Sequence, residues 1–326
     1  MDLFTKLTQI AKKAPKTIVF PEGEDARVLK AALRLQADQI VTPILLGDPV
    51  KIADLAHKLH LELGSIKIIP IKDDAQYQQF CQDFVERRHG KNTLAQAKQM
   101  LLEPSYYGTM MVYEHLADGM VSGAVHSTAN TVRPALQIIK TVPGQKRVSG
   151  AMLLERGEER YVFADCAMNI DPDSATLAEI ALQSAETAKL AGLDPVVAML
   201  SFSTKGSAKG EMVTKVQQAV ELVKQADPAL KVDGELQFDA AFVPEVGQRK
   251  APKSAVAGHA NVFVFPELQS ANIGYKIAQR LGNFSATGPV LQGLAAPVND
   301  LSRGASSEDV YRAGILTAAQ ANMKVE

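Results

Sequence analysis

The chain reads as an α/β protein, and two observations carry that reading. Short apolar runs rich in β-branched residues alternate with longer stretches of helical spacing. Several of those runs are apolar on both faces, as strands of a parallel sheet covered by helices must be. In order, Thr17–Phe20 is a strand stopped by Pro21, and 25–35 has helical spacing with Asp25 as its cap. Pro43–Leu46 stops at Gly47 and Ile66–Ile69 at Pro70, while 86–91 is a basic cluster closing a helix. Val121–Val125 reads as a strand, followed by a polar loop and a helix from His126 through Arg133. Val196–Leu200 precedes a Ser/Gly-rich loop and a long helix through Glu221. Asn261–Phe265 precedes a loop and the helix around Ile273–Arg280.

Turn-like breaks at Pro143-Gly144, Gly288-Pro289 and Ala296-Pro297 divide the chain. They predict a first domain of residues 1–145, completed by a returning C-terminal segment 298–326, and a second domain of 146–297. The return is expected to place the loop at Ser302 in a cleft between the domains, a common location for ligands.

Composition narrows the function. The 326 residues are 46% hydrophobic, with a formal net charge of −1 and two cysteines, Cys81 and Cys166. Near-neutral charge argues against nucleic acid as a partner. No apolar run approaches a membrane span of ~20 residues, and the amphipathic start at 1–7 lacks the features of a secretory signal. The expectation is a cytoplasmic protein with reduced thiols.

The segment 288–310 carries the strongest chemical signal. Within eight positions it sets a hydroxyl (Ser302), a permanent cation (Arg303), a glycine (Gly304) and a carboxylate (Asp309). These are the groups needed to hold an anionic acyl donor, polarise its carbonyl and accept a proton. Asp309 also stands three residues after Ser306, where an acid completes a capping box with no chemistry at all. Ser127 and Thr128, near a helix start, suit phosphate oxygens, and Arg133 adds a bidentate clamp; a capped helix with a solvated arginine is the structural alternative. Arg87 and Arg88 lie in the basic cluster, where the helix dipole alone favours cations. The 203–210 loop resembles a phosphate loop only in composition, and no dinucleotide fingerprint stands in a strand–helix context. Cys166 is flanked by neither histidine nor cations and reads as core, and the six histidines show no metal-ligand spacing.

The motifs 121–134, 198–204, 233–241, 260–266 and 297–304 together resemble the phosphotransacetylase (phosphate acetyltransferase) family over nearly the whole chain. The resemblance implies two three-layer α/β/α domains with mainly parallel sheets, isocitrate-dehydrogenase-like in architecture. It implies a homodimer and reversible acetyl transfer between coenzyme A and phosphate through acetyl phosphate. No tightly bound cofactor or metal is implied, and coenzyme A is a co-substrate. By motif, Ser302 and Asp309 match the family's catalytic serine and aspartate, Arg303 and Arg133 match substrate-binding arginines, and either Arg88 or Arg87 matches a third. Ala305 stands where some relatives have a cysteine. A transferase of longer acyl groups, a metal- and nicotinamide-dependent dehydrogenase and a non-catalytic sensor are the competing readings.

The expected chemistry is direct attack of the coenzyme A thiol on acetyl phosphate in a ternary complex. Asp309 takes the proton, Ser302 donates to the oxyanion and Arg303 holds the phosphoryl group. An ordinary aspartate near ~3.9 and a thiol near ~8.5 leave a gap of roughly 6 kcal/mol, which burial of the carboxyl, a thiolate stabilised by Arg303, or proton transfer concerted with carbon–sulfur bond formation would each narrow.

Overall fold

The computed structural model describes residues 2–323 and divides into two compact units. One unit runs Phe4–Val142 and resumes from Leu294 onward; the other comprises Pro143–Gly293.

In chain order the first part contributes α1 (Leu3–Lys13), β1 (Lys16–Phe20), α2 (Ala26–Ala37), β2 (Val41–Leu46), α3 (Pro49–Lys58) and β3 (Lys67–Ile69). Helices α4 (Tyr77–Arg87), α5 (Leu94–Met100) and α6 (Pro104–Tyr113) follow, then β4 (Gly119–Ser122) and α7 (Thr128–Ile138). The middle of the chain holds β5 (Ser149–Arg156), β6 (Glu159–Ala164), α8 (Ser174–Leu190), β7 (Val196–Leu200), α9 (Glu211–Ala226) and β8 (Lys231–Leu236). It ends with α10 (Phe238–Phe242), α11 (Pro244–Lys250), β9 (Val262–Val264), α12 (Leu268–Arg280) and β10 (Ser285–Gln292). β11 (Val298–Asp300) and α13 (Ser307–Met323) close the chain.

The sheet of the first unit is wholly parallel, in the order β11-β4-β1-β2-β3. The chain moves outward from β1 to β2 and β3, then returns on the other side of β1 as β4. Adjacent loops at the β1 and β4 carboxyl ends therefore leave in opposite directions and open a crevice, the usual ligand position in such sheets. Ile18, Val19 and Phe20 are fully buried, as a central parallel strand requires. Asp25 caps α2 by accepting from the N–H groups of Arg27 and Val28, and Val28, Leu29, Ala32 and Leu35 form its buried face. Val121–Val125 is strand only as far as Ser122, because the next three N–H groups turn away from the sheet to a carboxylate described below.

The other sheet, β10-β5-β6-β9-β7-β8, is mixed. β6, β9, β7 and β8 pair in parallel, whereas β10, β5 and β6 are antiparallel. The β5–β6 hairpin turns at Gly157, whose φ of 62° suits a residue without Cβ.

The last helix fixes the loop that precedes it. α13 buries Val310, Ile315, Ala318 and Ala319, and Asn299 of β11 donates to Thr317 Oγ1 at 2.9 Å. Gly314 lies so close to α2 that an added Cβ would stand 2.5 Å from Leu35 Cδ1, and Leu35 is itself fully buried. Gly314→Val is accordingly expected to cost about 1–3 kcal/mol of stability by overpacking, read as a lowered midpoint in thermal or denaturant unfolding.

Candidate functional site

Three strand ends of the first unit meet at one place. In register, Asp300 of β11 lies beside Ser122 of β4, while Val19 of β1 pairs with Met120. Gly123 makes the closeness of β4 and β11 possible. Its φ is +111°, and a Cβ there would lie 2.5 Å from Asp300 Oδ1 and 2.7 Å from the Leu301 carbonyl.

Two charged residues just after β1 organise the loops around this point. Glu22 is 8% exposed; its Oε2 accepts from the N–H groups of Gly123 (3.0 Å) and Ala124 (2.9 Å), and its Oε1 from Val125 (2.9 Å). His126 Nε2 lies 3.1 Å from Glu22 Oε1 and 3.0 Å from Ser105 Oγ. Arg27 does the converse, donating to the carbonyls of Ala124, Arg303 and Ala305 at 2.8–2.9 Å. Burial alone would raise the Asp25 carboxyl, yet its hydrogen bonds from Arg27 hold it below the ordinary aspartate range.

The Ser302 loop is a tight turn. The Ala305 N–H donates to the Ser302 carbonyl at 2.8 Å, and the Gly304 N–H to Ser302 Oγ at 3.3 Å. Ser302, Arg303 and Gly304 are exposed. Arg303 makes no side-chain hydrogen bond or ion pair among the described residues, so its guanidinium is open to a ligand. Gly304 does not occupy the left-handed region, and a Cβ on it would meet only Ser302 Oγ at 3.8 Å. Its backbone therefore gives no conformational reason for a glycine.

Asp309 is in the capping box that its spacing allows. Its Oδ2 accepts from the Ser306 N–H and hydroxyl, both at 2.8 Å, and its own N–H donates to Ser306 Oγ at 3.2 Å. Both accepted bonds fall on Oδ2. Asp309 is exposed, and Oδ1 has no protein donor among the described residues.

Helix α7 begins at the same strand ends, with Arg133 one and a half turns along it. Ser127 Oγ donates to Asn130 Oδ1 at 3.2 Å, and Thr128 Oγ1 to Asp300 Oδ2 at 2.6 Å. Each hydroxyl has one proton, so as they stand Ser127 and Thr128 face a ligand as acceptors. Arg133 is exposed, and its side chain makes no hydrogen bond among the described residues.

Arg87 and Arg88 differ in their commitments. Arg87 donates to the carbonyls of Ile138 (2.6 Å) and Ile139 (3.1 Å) and stacks over Tyr113, so it ties down the end of α7. Arg88 uses only Nε, on Asn92 Oδ1 at 3.1 Å. Burial raises the Tyr106 phenol, and the charges of Arg133 and Arg88 pull against it. Lys140 is held below the ordinary lysine range by burial and by the charges of Arg87, Arg88 and Lys91. Cations thus accumulate on this side.

Asp300, Glu22 and Arg27 were not singled out by the sequence pattern. Asp300 is 7% exposed, and its Oδ1 lacks a partner among the described residues, as do Thr131 Oγ1 and His126 Nδ1. Burial raises the Asp300 carboxyl, against the hydrogen bond from Thr128. Cys166 is buried and donates to the Phe163 carbonyl, and burial followed by the charge of Asp165 pushes its thiol far up. Cys81 is also buried, with its thiol raised by burial. Neither cysteine resembles an activated nucleophile.

The comparisons with known proteins agree with one another. A family model described as phosphate acetyl/butaryl transferase matches residues 2–318. A Bacillus subtilis phosphate acetyltransferase is 56% identical over 320 residues, covering 98% of this chain and 99% of its own. A solved phosphotransacetylase from Streptococcus pyogenes superposes with a TM-score of 0.96 at 57% identity, and one from Staphylococcus aureus with 0.93 at 56%. In both cases 98% of each chain is covered.

The raised carboxyl of Asp300 makes a signed prediction. The native state keeps a proton that the unfolded chain has released, so its stabilisation is complete below the unfolded value of ~3.9 and is lost as pH rises through the folded value. Asn cannot titrate. The melting temperature of Asp300→Asn relative to the parent is therefore expected to rise with pH above ~4, and a falling difference contradicts the assignment.

Proposed function

This chain belongs to the phosphate acetyl/butaryl transferase family, and we propose that the groups following β4 and β11 perform its chemistry by direct transfer. The reaction is reversible acetyl transfer between acetyl-coenzyme A and inorganic phosphate, giving acetyl phosphate and coenzyme A.

In this reading Arg303 holds the phosphoryl group, with its guanidinium uncommitted and matched to phosphate oxygens. Ser302 donates its hydroxyl proton to the carbonyl oxygen as negative charge develops there. Arg133 and the cation-rich edge of Arg88, Lys91 and Lys140 bind the phosphates of coenzyme A, and Arg87 supports them by holding the end of α7. Ser127 and Thr128 join the anion site when their hydroxyls turn from Asn130 and Asp300.

Asp309 accepts the thiol proton through Oδ1 while Oδ2 keeps the helix cap. The carrying observation is that both capping bonds use the same oxygen. Cap and base are then compatible, and the cap holds the carboxyl in one orientation. Proton transfer accompanies carbon–sulfur bond formation, so no free thiolate has to form in advance. The acetyl group passes from oxygen to sulfur without resting on the protein, in keeping with two buried cysteines and Ala305 beside the loop.

No helix among the described residues is long and apolar enough to cross a membrane. We place the enzyme in the cytoplasm, with no tightly bound cofactor. Its expected assembly is a homodimer. Ile273, Ile277 and Leu281 leave an apolar stripe exposed along α12, a surface of the kind a second copy covers.

The test is the rate of thioester formation from acetyl phosphate and coenzyme A. Asparagine retains a capping oxygen and removes the base, so Asp309→Asn should keep the parent's melting temperature and lose turnover by about 100-fold or more. Normal turnover in that variant assigns Asp309 to the cap alone. Ser302→Ala should lose about 2–4 kcal/mol of transition-state stabilisation.

A further inference from the structure

The Arg27 side chain uses every donor it has. A guanidinium carries five N–H bonds. Here Nε–H donates to Asp25 Oδ1 (3.0 Å), one terminal nitrogen to the carbonyls of Arg303 and Ala305 (both 2.9 Å), and the other to Asp25 Oδ2 (2.9 Å) and the Ala124 carbonyl (2.8 Å). No donor remains for a substrate, which excludes Arg27 as a ligand-binding arginine despite its position at the site.

Its partners lie on three separate loops. Asp25 follows β1, Ala124 follows β4, and Arg303 and Ala305 follow β11. The last two flank Gly304 in the turn that displays Ser302. That turn has few internal ties, a 2.8 Å bond from the Ala305 N–H and a longer 3.3 Å contact from the Gly304 N–H. Its outward carbonyls are held by Arg27. The ion pair with Asp25 prevents the guanidinium from rotating, because its bidentate geometry fixes the plane of the fork.

We propose that Arg27 is a positioning residue for acetyl transfer. It clamps the 303–305 carbonyls to the β4 loop, so that the Ser302 hydroxyl and the Arg303 guanidinium face the reacting atoms together. The proposal rests on the reading of Ser302 and Arg303 given above. Misplacement of such groups by about 1 Å costs up to about 100-fold in rate. Lysine is a poor replacement, since a single ammonium cannot span Asp25 and three carbonyls in one plane.

The experiment combines Arg27→Lys, Arg27→Ala, Ser302→Ala and the Arg27→Ala/Ser302→Ala double variant, assayed as full-length enzymes for thioester formation, with thermal melts of each. Both Arg27 variants should lose about 10- to 100-fold in kcat, with affinity for coenzyme A little changed. The double variant should fall only a few-fold below Ser302→Ala, because the two residues act through one loop. Added methylguanidinium should restore part of the Arg27→Ala rate and none of the Ser302→Ala rate. If the losses multiply in full and methylguanidinium restores nothing, the positioning role is wrong. Should Arg27→Ala fail to fold, Arg27→Lys decides by the same split, and an unchanged kcat in a folded Lys variant overturns the proposal. An unchanged rate in Ser302→Ala instead removes the oxyanion role of Ser302, and methylguanidinium rescue then decides the Arg27 clamp by itself.

Discussion

The site depends on bringing the carboxyl ends of three parallel strands close together without leaving their loop backbones unsatisfied. β1, β4 and β11 end side by side, and each then turns out of the sheet. A buried main-chain group without a partner costs about 1–3 kcal/mol. The protein resolves this with an opposed pair of side chains from one short segment. Glu22 is an acceptor and gathers the N–H groups of Gly123, Ala124 and Val125. Arg27 is a donor and gathers the carbonyls of Ala124, Arg303 and Ala305. Ala124 is held by both, through its N–H and its carbonyl. The crevice is therefore set by charge-assisted hydrogen bonds to backbone, which resist displacement better than neutral ones.

From that frame the division of labour follows. Groups that build the frame have their hydrogen-bonding capacity used up, as in Arg27 and Glu22. Groups assigned to substrate retain capacity, as in Arg303, Arg133, the terminal nitrogens of Arg88, and Oδ1 of Asp309. The capping box at Ser306 joins the two classes, since one carboxylate oxygen of Asp309 is taken by the cap and the other has no protein donor among the described residues. Pinning a reacting group by its own local structure lowers the entropy lost on reaching the transition state.

Much of this was legible in the sequence. Strands β1, β2, β7 and β9 and helices α2 and α12 announce themselves by apolar runs and helical spacing, and Asp25 caps where it should. The 288–310 segment marked Ser302, Arg303 and Asp309, and the spacing from Ser306 to Asp309 carried both of its readings openly. The antiparallel arm of β5, β6 and β10 was missed, because its strands mix polar and apolar residues and its hairpin signal is little more than Gly157. Val121–Val125 read as one strand, but tertiary bonds to Glu22 end it at Ser122. Arg87 and Arg88 could not be told apart in the sequence, since adjacent residues at a helix end share composition and dipole; the structure gives them different hydrogen-bond partners. Arg27 gave no sign because an arginine two residues after a capping aspartate is ordinary helix-start chemistry. Its three carbonyl partners lie about 100 and 280 positions away.

The central claim is that these loops template a transfer in which the acetyl group never becomes attached to the protein. Exchange of radiolabelled inorganic phosphate into acetyl phosphate in the complete absence of coenzyme A measures this directly. Direct transfer predicts no label in acetyl phosphate until coenzyme A is added. Label appearing without it, at a rate comparable to turnover, would reveal an acyl-enzyme and contradict the account.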